Sequence, residues 1–389
     1  MIFTLSTEFL TEHDALATAQ EIAQQPLTWY KTKTQFDENL ERYRRIVDKY
    51  LSDPSATIVF SGAGSSEFIG NALVSNIKTI SKATIASIAT TDILTDVSGC
   101  LKKESPTLMV SFGRSGSSPE SVGAFLEVQN YCDQIEHIFI TCNHQGKLAE
   151  LAKSNSNVTS IELTPETHDV GFAMTSSFSN MYLMAALLFV PGLDEMDLDE
   201  VYQAAKNFLS YLYTPIKKMV EDYDFQRIVY LGSGPLKAIA QESALKILEL
   251  TQGEIPSLFD TFLGFRHGPK SFLDHETLTV MYLSNQPHTR QYEIDLLKEM
   301  SIETHNGKIL VIDTLVDDEV ASLANEVIIY QNMNTMPMAL VVLPYLMVGQ
   351  TLGLLKSLHM GKTPDNPDPT GSVNRVVKGV TLYVKGETL

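Results

Sequence analysis

The sequence predicts an α/β protein made of two tandem copies of one unit, each a flavodoxin-like parallel sheet flanked by helices in three αβα layers. Two observations predict this fold. From residue 57 onward, short β-branched runs alternate with longer helical stretches, a pattern typical of parallel strands joined by crossover helices. The pattern then repeats at an offset of about 170 positions, so that Ile58–Gly64 matches Ile228–Gly234 and Thr107–Val110 matches Thr277–Val280. We therefore expect a duplicated α/β unit.

An N-terminal helical arm precedes the first unit. Thr11 is a candidate N-cap for a helix over Glu12–Gln24, and a second helix is expected over Asp37–Leu51. The predicted segments are the arm (1–50), a first α/β unit (51–200), a second (201–360) and a C-terminal tail (361–389).

The elements of the first unit follow in chain order. The predicted strands are Thr57–Ser61, Thr84–Ser87, Thr107–Phe112, Ile135–Cys142 and Ser160–Leu163, and the predicted helices are Glu67–Thr79, Glu120–Tyr131, Lys147–Ser154 and Ser176–Phe189. In the second unit, Met336–Leu355 is a long uncharged run that a membrane span could also show. Prolines and glycines interrupt it, and the repeat aligns it with Ser176–Phe189, so we expect a buried core helix. A short strand is expected at Val380–Val384.

Composition narrows the classes of function. The 389 residues carry a formal net charge of −18, which argues against general binding to nucleic acid or anionic membranes. Three scattered cysteines and nine histidines show no metal-ligand spacing, and the acidic N-terminus does not resemble a secretory signal. We expect a cytoplasmic protein without metal or organic cofactor.

The first loop of the first unit, Gly62-Ala63-Gly64-Ser65-Ser66, follows a strand and opens a helix. A dinucleotide site would be one explanation, but Glu67 stands where the third glycine of that fingerprint belongs. The hydroxyls of Ser65 and Ser66 suit a sugar or a phosphate better.

The stretch Thr107–Ser121 contains a second candidate loop. A buried strand runs into Gly113, Arg114, Ser115, Gly116, Ser117 and Ser118, and Pro119 then begins a helix. Free N–H groups and the dipole at a helix N-terminus favour an anion, so the loop could cradle a phosphate. An ordinary serine-rich turn is the alternative.

Three of the charged residues on the helix predicted over Pro235–Thr251 form a group. Glu242, Lys246 and Glu249 stand four and three positions apart, within one narrow stripe of an otherwise apolar helix. A half-buried carboxylate beside a lysine can act as a proton-transfer base. The alternative is a silent exposed ion pair.

Two further residues complete the candidate set. His267 is followed by Gly268 and Pro269, which hold it in a turn where it could exchange a proton near neutral pH or simply be solvated. Lys378 lies in the tail, where a surface lysine is the simpler interpretation.

Together these stretches, in this order, resemble the sugar isomerase (SIS) domain family in its double-domain form over about residues 50–389. The similarity is to the isomerase half of glucosamine-6-phosphate synthases and, more closely, to the galactosamine-6-phosphate deaminase and tagatose-6-phosphate ketose/aldose isomerase group. It implies that Gly64, Ser65, Ser66, Ser115, Gly116, Ser117 and Ser118 bind the sugar phosphate, with Arg114 contacting the phosphate or the sugar. It also implies that Glu249 moves a proton between C1 and C2, His267 opens the ring and Lys378 assists at the carbonyl end, with Glu242 and Lys246 in support.

The resemblance leaves several functions open. The synthases carry a glutaminase domain that begins with a cysteine; here Ile2 and a helical arm stand in its place, so we expect the direction that releases ammonia. Galactosamine 6-phosphate would give tagatose 6-phosphate and ammonia. The alternatives are a plain ketose/aldose isomerase, a sugar-phosphate-sensing SIS module without catalysis and a fructosamine-phosphate deglycase. Because the histidine in this family often reaches a neighbouring subunit, a homodimer or larger homo-oligomer is expected.

Overall fold

The structure is a computed structural model that describes residues 1–303, 307–368, 370–371, 374–376 and 379–383. Lys378 lies outside this part of the chain, and so does Val384 at the end of the strand expected at Val380–Val384; the described residues 380–383 form no strand, so that part of the prediction is wrong. The described strands are β1 (Thr57–Ser61), β2 (Thr84–Ser87), β3 (Thr107–Gly113), β4 (Ile135–Thr141), β5 (Val158–Glu162), β6 (Arg227–Gly232), β7 (Ser257–Asp260), β8 (Thr277–Tyr282), β9 (Lys308–Asp313) and β10 (Glu326–Ile329).

Helices connect these strands and form the N-terminal arm. They are α1 (Thr7–Glu12), α2 (Leu16–Ala23), α3 (Gln25–Glu38), α4 (Leu40–Leu51), α5 (Ser65–Ile77), α6 (Thr90–Thr95), α7 (Val97–Cys100), α8 (Pro119–Tyr131), α9 (Lys147–Ser154), α10 (Ser176–Phe189), α11 (Asp199–Asn207), α12 (Thr214–Lys218), α13 (Pro235–Leu250), α14 (Phe262–Phe265), α15 (Pro287–Ser301), α16 (Asp318–Leu323) and α17 (Met338–His359). Short 3-10 turns cover Pro165–Thr167 and Pro269–Phe272, and π-helical segments cover Phe208–Leu212 and Met219–Tyr223.

The chain divides into two compact units, each built around one sheet. The first-sheet unit contains residues 31–168, 180–194 and the described residues from 370 onward; the second-sheet unit contains residues 1–30, 169–179 and 195–368. Each sheet has five parallel strands, in the order β2-β1-β3-β4-β5 in the first and β7-β6-β8-β9-β10 in the second. This is the flavodoxin-like order, so the predicted fold class and its duplication are confirmed.

The duplication extends to single backbone angles. Gly64, before α5, has φ 56° and ψ −129°, and Gly234, before α13, has φ 57° and ψ −128°. These angles lie in a region that glycine adopts at little cost. The two strand-to-helix turns therefore have the same geometry.

The long uncharged run forms α17, which lies inside the second-sheet unit. Within the described chain it is the one helix long and apolar enough to cross a membrane, and its most apolar window is entirely buried in the fold. Gly349 allows a close approach to α13, because a Cβ there would lie 2.1 Å from Ser243 Oγ. The predicted core helix is thus observed, and it packs directly on α13.

The arm differs from the predicted helices. Thr11 is not an N-cap: α1 begins earlier, with the Ser6 hydroxyl accepting from Phe9 N at 3.1 Å, and the helix ends at Glu12 before Asp14, which has φ 47°. The next helix, α2, has no side-chain cap of its own. Asp365 accepts from Ala17 N at 2.8 Å and supplies that cap from far along the chain. The helix α3 was not predicted.

Candidate active site

The two predicted binding loops of the first-sheet unit follow β1 and β3. These strands are neighbours in the sheet, and the chain leaves β1 toward β2 on one side before returning to β3 on the other. In open parallel sheets, ligands bind in the crevice at the carboxyl ends of two such strands. The topology therefore brings both loops to the edge where a ligand is expected.

The loop after β1 turns sharply into α5. A Cβ on Gly62 would lie 2.4 Å from the carbonyl carbon of Ser66, so the close approach of the turn to the helix requires glycine. Ser65 and Ser66 form the first turn of α5 and are buried, at 5% and 7% exposure. Their hydroxyls stand at the positive end of a helix of thirteen residues, which favours an anionic group.

The loop after β3 is fixed through its backbone. Three of its carbonyl oxygens accept hydrogen bonds. Gly113 O accepts from Thr141 Oγ1 at 2.7 Å, Ser115 O from Asn143 Nδ2 at 2.9 Å and Gly116 O from Leu148 N at 2.8 Å. Gly116 has φ +58°, and a Cβ there would lie 2.8 Å from Thr141 Oγ1. The carbonyl oxygens are therefore held by the neighbouring strand and helix, which fixes the backbone that carries the serines.

Ser117 and Ser118 take part in this loop geometry. Ser118 is the N-cap of α8, with its hydroxyl 2.7 Å from Ser121 Oγ, and Pro119 occupies the first helical turn as expected. The Ser117 hydroxyl accepts from Lys147 N at 3.1 Å. The loop thus ends at a helix N-terminus, as the sequence predicts.

Arg114 lies in the same loop but reaches the C-terminal segment. Its side chain is buried, and Nη2 donates to the backbone carbonyl of Arg375 at 2.8 Å. Both residues belong to the first-sheet unit. The predicted contact of Arg114 with a substrate stays a prediction, and its contact with the tail was not anticipated.

The charged stripe of α13 forms one ion-pair cluster. Lys246 Nζ lies 3.3 Å from Glu242 Oε1 and also pairs with Glu249. The side chains of Glu242 and Lys246 are 0% and 1% exposed, whereas that of Glu249 is 24% exposed. The silent exposed pair is therefore excluded: two buried charges hold a third, accessible carboxylate in one orientation.

His267 is exposed at the surface of the second-sheet unit, between α14 and the 3-10 turn Pro269–Phe272. Gly268, which follows it, has φ 122°, a conformation that side chains rarely adopt. Two cations flank the histidine: Arg266 Nη2 lies 2.9 Å from Asp295, and Lys270 Nζ lies 2.8 Å from Glu303. Both also pair with Glu299 of α15. The exposed imidazole therefore sits on an anchored loop.

Sequence reasoning missed this anchor, although a signal was present. Asp295, Glu299 and Glu303 recur every four positions and so lie along one side of α15 and its end. The same spacing that selected Glu242, Lys246 and Glu249 could have selected these acids as partners for Arg266 and Lys270.

The corresponding crevice of the second-sheet unit contains a carboxylate of the protein itself. Glu293 Oε2, on α15, accepts from Ser284 N at 2.7 Å, and the Glu293 carboxylate also interacts with the hydroxyl of Ser233, in the loop after β6. Glu293 is fully buried, and burial raises the pKa of its carboxyl to about 7, although Ser284, Ser233 and Arg290 lower it. A carboxylate of the second-sheet unit therefore contacts both of its loops after β6 and β8. These two loops correspond to the serine- and glycine-bearing loops of the first-sheet unit.

The described residues contain no group of three or more His, Cys, Asp or Glu side chains that could hold a metal ion. The candidate residues described above offer hydroxyls, carboxylates, an imidazole and a lysine ammonium group. Such groups can transfer protons between oxygen and carbon atoms of a sugar.

Comparisons with known proteins show the family to which the chain is similar. The family model of the SIS domain matches residues 50–191 and 223–354. The D-galactosamine-6-phosphate deaminase AgaS of Shewanella sp. (strain ANA-3) is 40% identical over 384 residues, which cover 97% of this chain and 95% of that protein. The protein of the same name from Escherichia coli O157:H7 is 36% identical over 367 residues, covering 94% of this chain and 95% of that protein.

Solved structures are also similar to this chain over nearly its whole length. A protein from Clostridium novyi NT is 39% identical, with a TM-score of 0.95 and 99% of both chains covered. The tagatose-6-phosphate ketose/aldose isomerase from Escherichia coli is 33% identical, with a TM-score of 0.85 and coverage of 95% of this chain and 97% of that one.

Proposed function

Because the chain belongs to the SIS-domain family, we propose that it is an amino-sugar phosphate deaminase/isomerase that converts galactosamine 6-phosphate and water into tagatose 6-phosphate and ammonia. The family membership confirms the resemblance seen in the sequence, and an enzyme of sugar-phosphate metabolism follows from it. The relatives named galactosamine-6-phosphate deaminase share 35% to 40% of their residues with nearly the whole chain. The single observation that carries the catalytic proposal is the ion-pair cluster on α13, which presents Glu249.

The first-sheet unit binds the phosphate in this proposal. Ser65 and Ser66 at the start of α5, with Ser115, Ser117 and Ser118 before α8, supply hydroxyls at the carboxyl edge of the sheet. Gly64 and Gly116 provide the backbone turns, with φ of +56° and +58°. Two helix N-termini stabilise the anion without a local cluster of lysines, which suits a chain of net charge −18.

The second-sheet unit carries the proton transfers. His267 takes the proton of the ring hydroxyl and returns one to the ring oxygen, which opens the sugar. Glu249 removes the proton from C2 as the carbonyl oxygen at C1 takes up a proton, which gives an enolamine. Glu249 then returns a proton to C1 and the amine nitrogen gives one up, so that the enolamine becomes the C2 imine. Water adds to this imine, and ammonia leaves. Lys246 holds the Glu249 carboxylate in its orientation, Glu242 balances the buried charge of Lys246, and Lys378 is proposed to assist at the carbonyl end.

Other features of the protein follow as proposals. The exposure of His267 supports a homo-oligomer in which this residue serves a neighbouring subunit. We retain the division into an arm (1–50), a binding domain (51–200), a catalytic domain (201–360) and a tail (361–389), and a cytoplasmic location.

A substrate panel tests the function. Purified protein is incubated separately with galactosamine 6-phosphate, glucosamine 6-phosphate and tagatose 6-phosphate, and ammonia and ketose are measured. We expect ammonia and ketose in equal amounts from galactosamine 6-phosphate. Absence of ammonia from both amino sugars would exclude the deaminase.

A plain ketose/aldose isomerase is the second candidate, because the similar Escherichia coli structure carries that description. It predicts interconversion of tagatose 6-phosphate with an aldose phosphate and no ammonia from any substrate. The same panel separates the two functions.

A further inference from the structure

The loop that carries His267 is held to α15 by apolar packing at its start. Phe262 and Phe265 of α14 are 1% and 0% exposed, and they belong to the same buried cluster as Leu296 and Leu297 of α15. This packing fixes α14, but it ends at Phe265, and His267 itself lies at the surface. The position of the histidine therefore depends on further contacts.

A single carboxylate makes contacts on both sides of the histidine. Arg266 Nε and Nη2 each lie 2.9 Å from Glu299 Oε2, and Lys270 Nζ pairs with Glu299 Oε1. Each cation also has a second acidic partner, Asp295 for Arg266 and Glu303 for Lys270. Glu299 thus binds both cations, one through each of its oxygens.

The backbone between the two cations has a conformation that favours glycine. Gly268 has φ 122°, which other residues rarely adopt. The imidazole of His267 is exposed, so the loop backbone rather than buried neighbours sets its direction. One exposed ion pair contributes little, because water screens it, but two donors of one arginine on the same carboxylate fix a geometry. Glu299 therefore ties the loop to α15 before and after this glycine.

We propose that Glu299 is a positioning residue, which fastens the loop to α15 so that the imidazole of His267 stays within reach of the ring hydroxyl and the ring oxygen of the sugar. The catalytic role of His267 rests on the proposed function, whereas the fastening rests on the contacts with Arg266 and Lys270 alone. Positioning matters for such a group, since a displacement of about 1 Å can lower a rate about a hundredfold.

The first experiment measures the fastening without using activity. The amides of His267 and Ser271 donate to Gly264 O at 2.9 Å and to Gly268 O at 3.0 Å, so their exchange in D2O reports opening of the loop. In Glu299→Gln, at a side chain 36% exposed, the shape is kept and the charge is lost. We expect exchange in the fragment with these amides to be at least about fivefold faster than in the native protein, measured by mass spectrometry.

Two further variants accompany this measurement. Glu319→Gln removes the partner of Lys298, an ion pair of 2.8 Å between α16 and α15 in the same unit, and should leave exchange in the loop unchanged. Lys270→Met removes one of the two cations and should accelerate it. Exchange rates in Glu299→Gln and Lys270→Met equal to those of Glu319→Gln and the native protein would overturn the fastening.

The second experiment tests whether the fastening acts through His267. Glu299→Gln should lower kcat about tenfold, because a displaced acid–base group transfers protons less efficiently, while the inhibition constant of inorganic phosphate stays within about twofold. Glu299→Asp keeps the carboxylate and should bring kcat to within about threefold of the native value. In a His267→Ala background, whose remaining turnover relies on spontaneous ring opening, Glu299→Gln should lower kcat less than about twofold.

The opposite results have defined meanings. If loop exchange accelerates but kcat does not change, the positioning role is wrong. Equal losses of kcat with and without His267 would also overturn it, as would inhibition by phosphate that is about tenfold weaker in Glu299→Gln, which would place Glu299 in substrate binding. If the native protein releases no ammonia, the proposed function fails, but the exchange measurement still decides whether Glu299 fastens the loop.

Discussion

Glu249 is the residue on which the proposed chemistry depends most. It combines partial exposure with a direct ion pair to a buried lysine, so its carboxylate is accessible and oriented. Glu242, about two turns earlier, is fully buried and has no access to a ligand. Among Glu242, Lys246 and Glu249, only Glu249 has the exposure that contact with a substrate requires.

The first prediction concerns this carboxylate. Glu249→Gln should lower kcat at least about a hundredfold, because the amide cannot accept the C2 proton, while the protein stays folded. Glu254→Gln is a matched control, since this exposed glutamate pairs with Lys362 and lies outside the stripe. Steady-state kinetics and circular dichroism measure both variants. Near-native kcat in Glu249→Gln would remove the residue from the mechanism.

Glu293 lies at the carboxyl edge of the second sheet, between the loops after β6 and β8. Its carboxylate accepts from Ser284 N and the Ser233 hydroxyl, which follow β8 and β6, and its second oxygen, Oε1, has no hydrogen-bond partner among the described residues. In the second-sheet unit, the Glu293 carboxylate thus lies at the position that corresponds to the ligand crevice of the first-sheet unit.

The second prediction is a pH dependence of stability. Burial raises the pKa of Glu293 from 4.5 to about 7, so the folded state binds this proton more tightly than the unfolded state does. The protonated Glu293 carboxyl therefore contributes to the free energy of unfolding below about pH 4.5, and this contribution is lost as pH rises toward 7. The total loss is on the order of 3 kcal/mol. Glu293→Gln should flatten the decline of unfolding free energy over this window, measured by urea denaturation.

Glu299→Gln is the control with the opposite sign. Lys270 lowers the pKa of the Glu299 carboxyl, so its contribution is present above the unfolded pKa and is lost as pH falls. Glu299→Gln should lower the unfolding free energy at neutral pH. It should leave the decline of unfolding free energy between pH 4.5 and 7 unchanged. A Glu293→Gln slope equal to the native slope would contradict the assignment.

At the scale of elements, the contact between α13 and α17 supports the catalytic stripe. Gly349 and Gly353 lie one turn apart on α17 and face α13. Close packing of two helices through small residues fixes the distance between their backbones. The position of Glu249 therefore depends on a helix that carries no charged candidate residue.

The third prediction compares these glycines. Gly349→Ala should destabilise the protein by about 1–3 kcal/mol, because its Cβ would lie 2.1 Å from Ser243 Oγ. At Gly353 the nearest atom is the flexible Leu250 Cδ1 at 3.0 Å, so Gly353→Ala should have a smaller effect. Urea denaturation gives both values. A larger loss of unfolding free energy in Gly353→Ala than in Gly349→Ala would contradict this description of the α13–α17 contact.

Elements also show what the sequence can and cannot predict. Strand and helix order, the repeat, the loops before α5 and α8, and the stripe on α13 were predictable, because local periodicity and turn residues determine them. The cap of α2 was not, since Asp365 supplies it from the other end of the chain. The bond from Arg114 to Arg375 and the placement of Glu293 depend on tertiary packing in the same way.

At the scale of the whole molecule, the two units share one fold but carry different sets of polar side chains. The first-sheet unit keeps the hydroxyl-bearing loops at its crevice, and the second-sheet unit carries the ion-pair cluster and the anchored histidine. In the second-sheet unit, Glu293 contacts both loops, through Ser284 after β8 and Ser233 after β6. One sugar phosphate per chain is the expected stoichiometry.

The fourth prediction tests whether His267 serves a neighbouring subunit. Glu249→Gln and His267→Ala are each expected to be nearly inactive. Co-expressed, they should form mixed dimers in which one site has both residues, which restores about a quarter of native activity under random assembly. Light scattering establishes the oligomeric state. No restored activity in a mixed oligomer would show that His267 acts within its own chain.

The central claim is that this chain deaminates an amino-sugar phosphate by proton transfer from C2 to C1. NMR of galactosamine 6-phosphate incubated with the protein in D2O follows the product, its C1 protons and the released ammonia in one sample. We predict tagatose 6-phosphate and ammonia in equal amounts, with solvent deuterium entering at C1 to the extent that Glu249 exchanges its proton. Unchanged galactosamine 6-phosphate, or exchange at C2 without ammonia, would contradict the account.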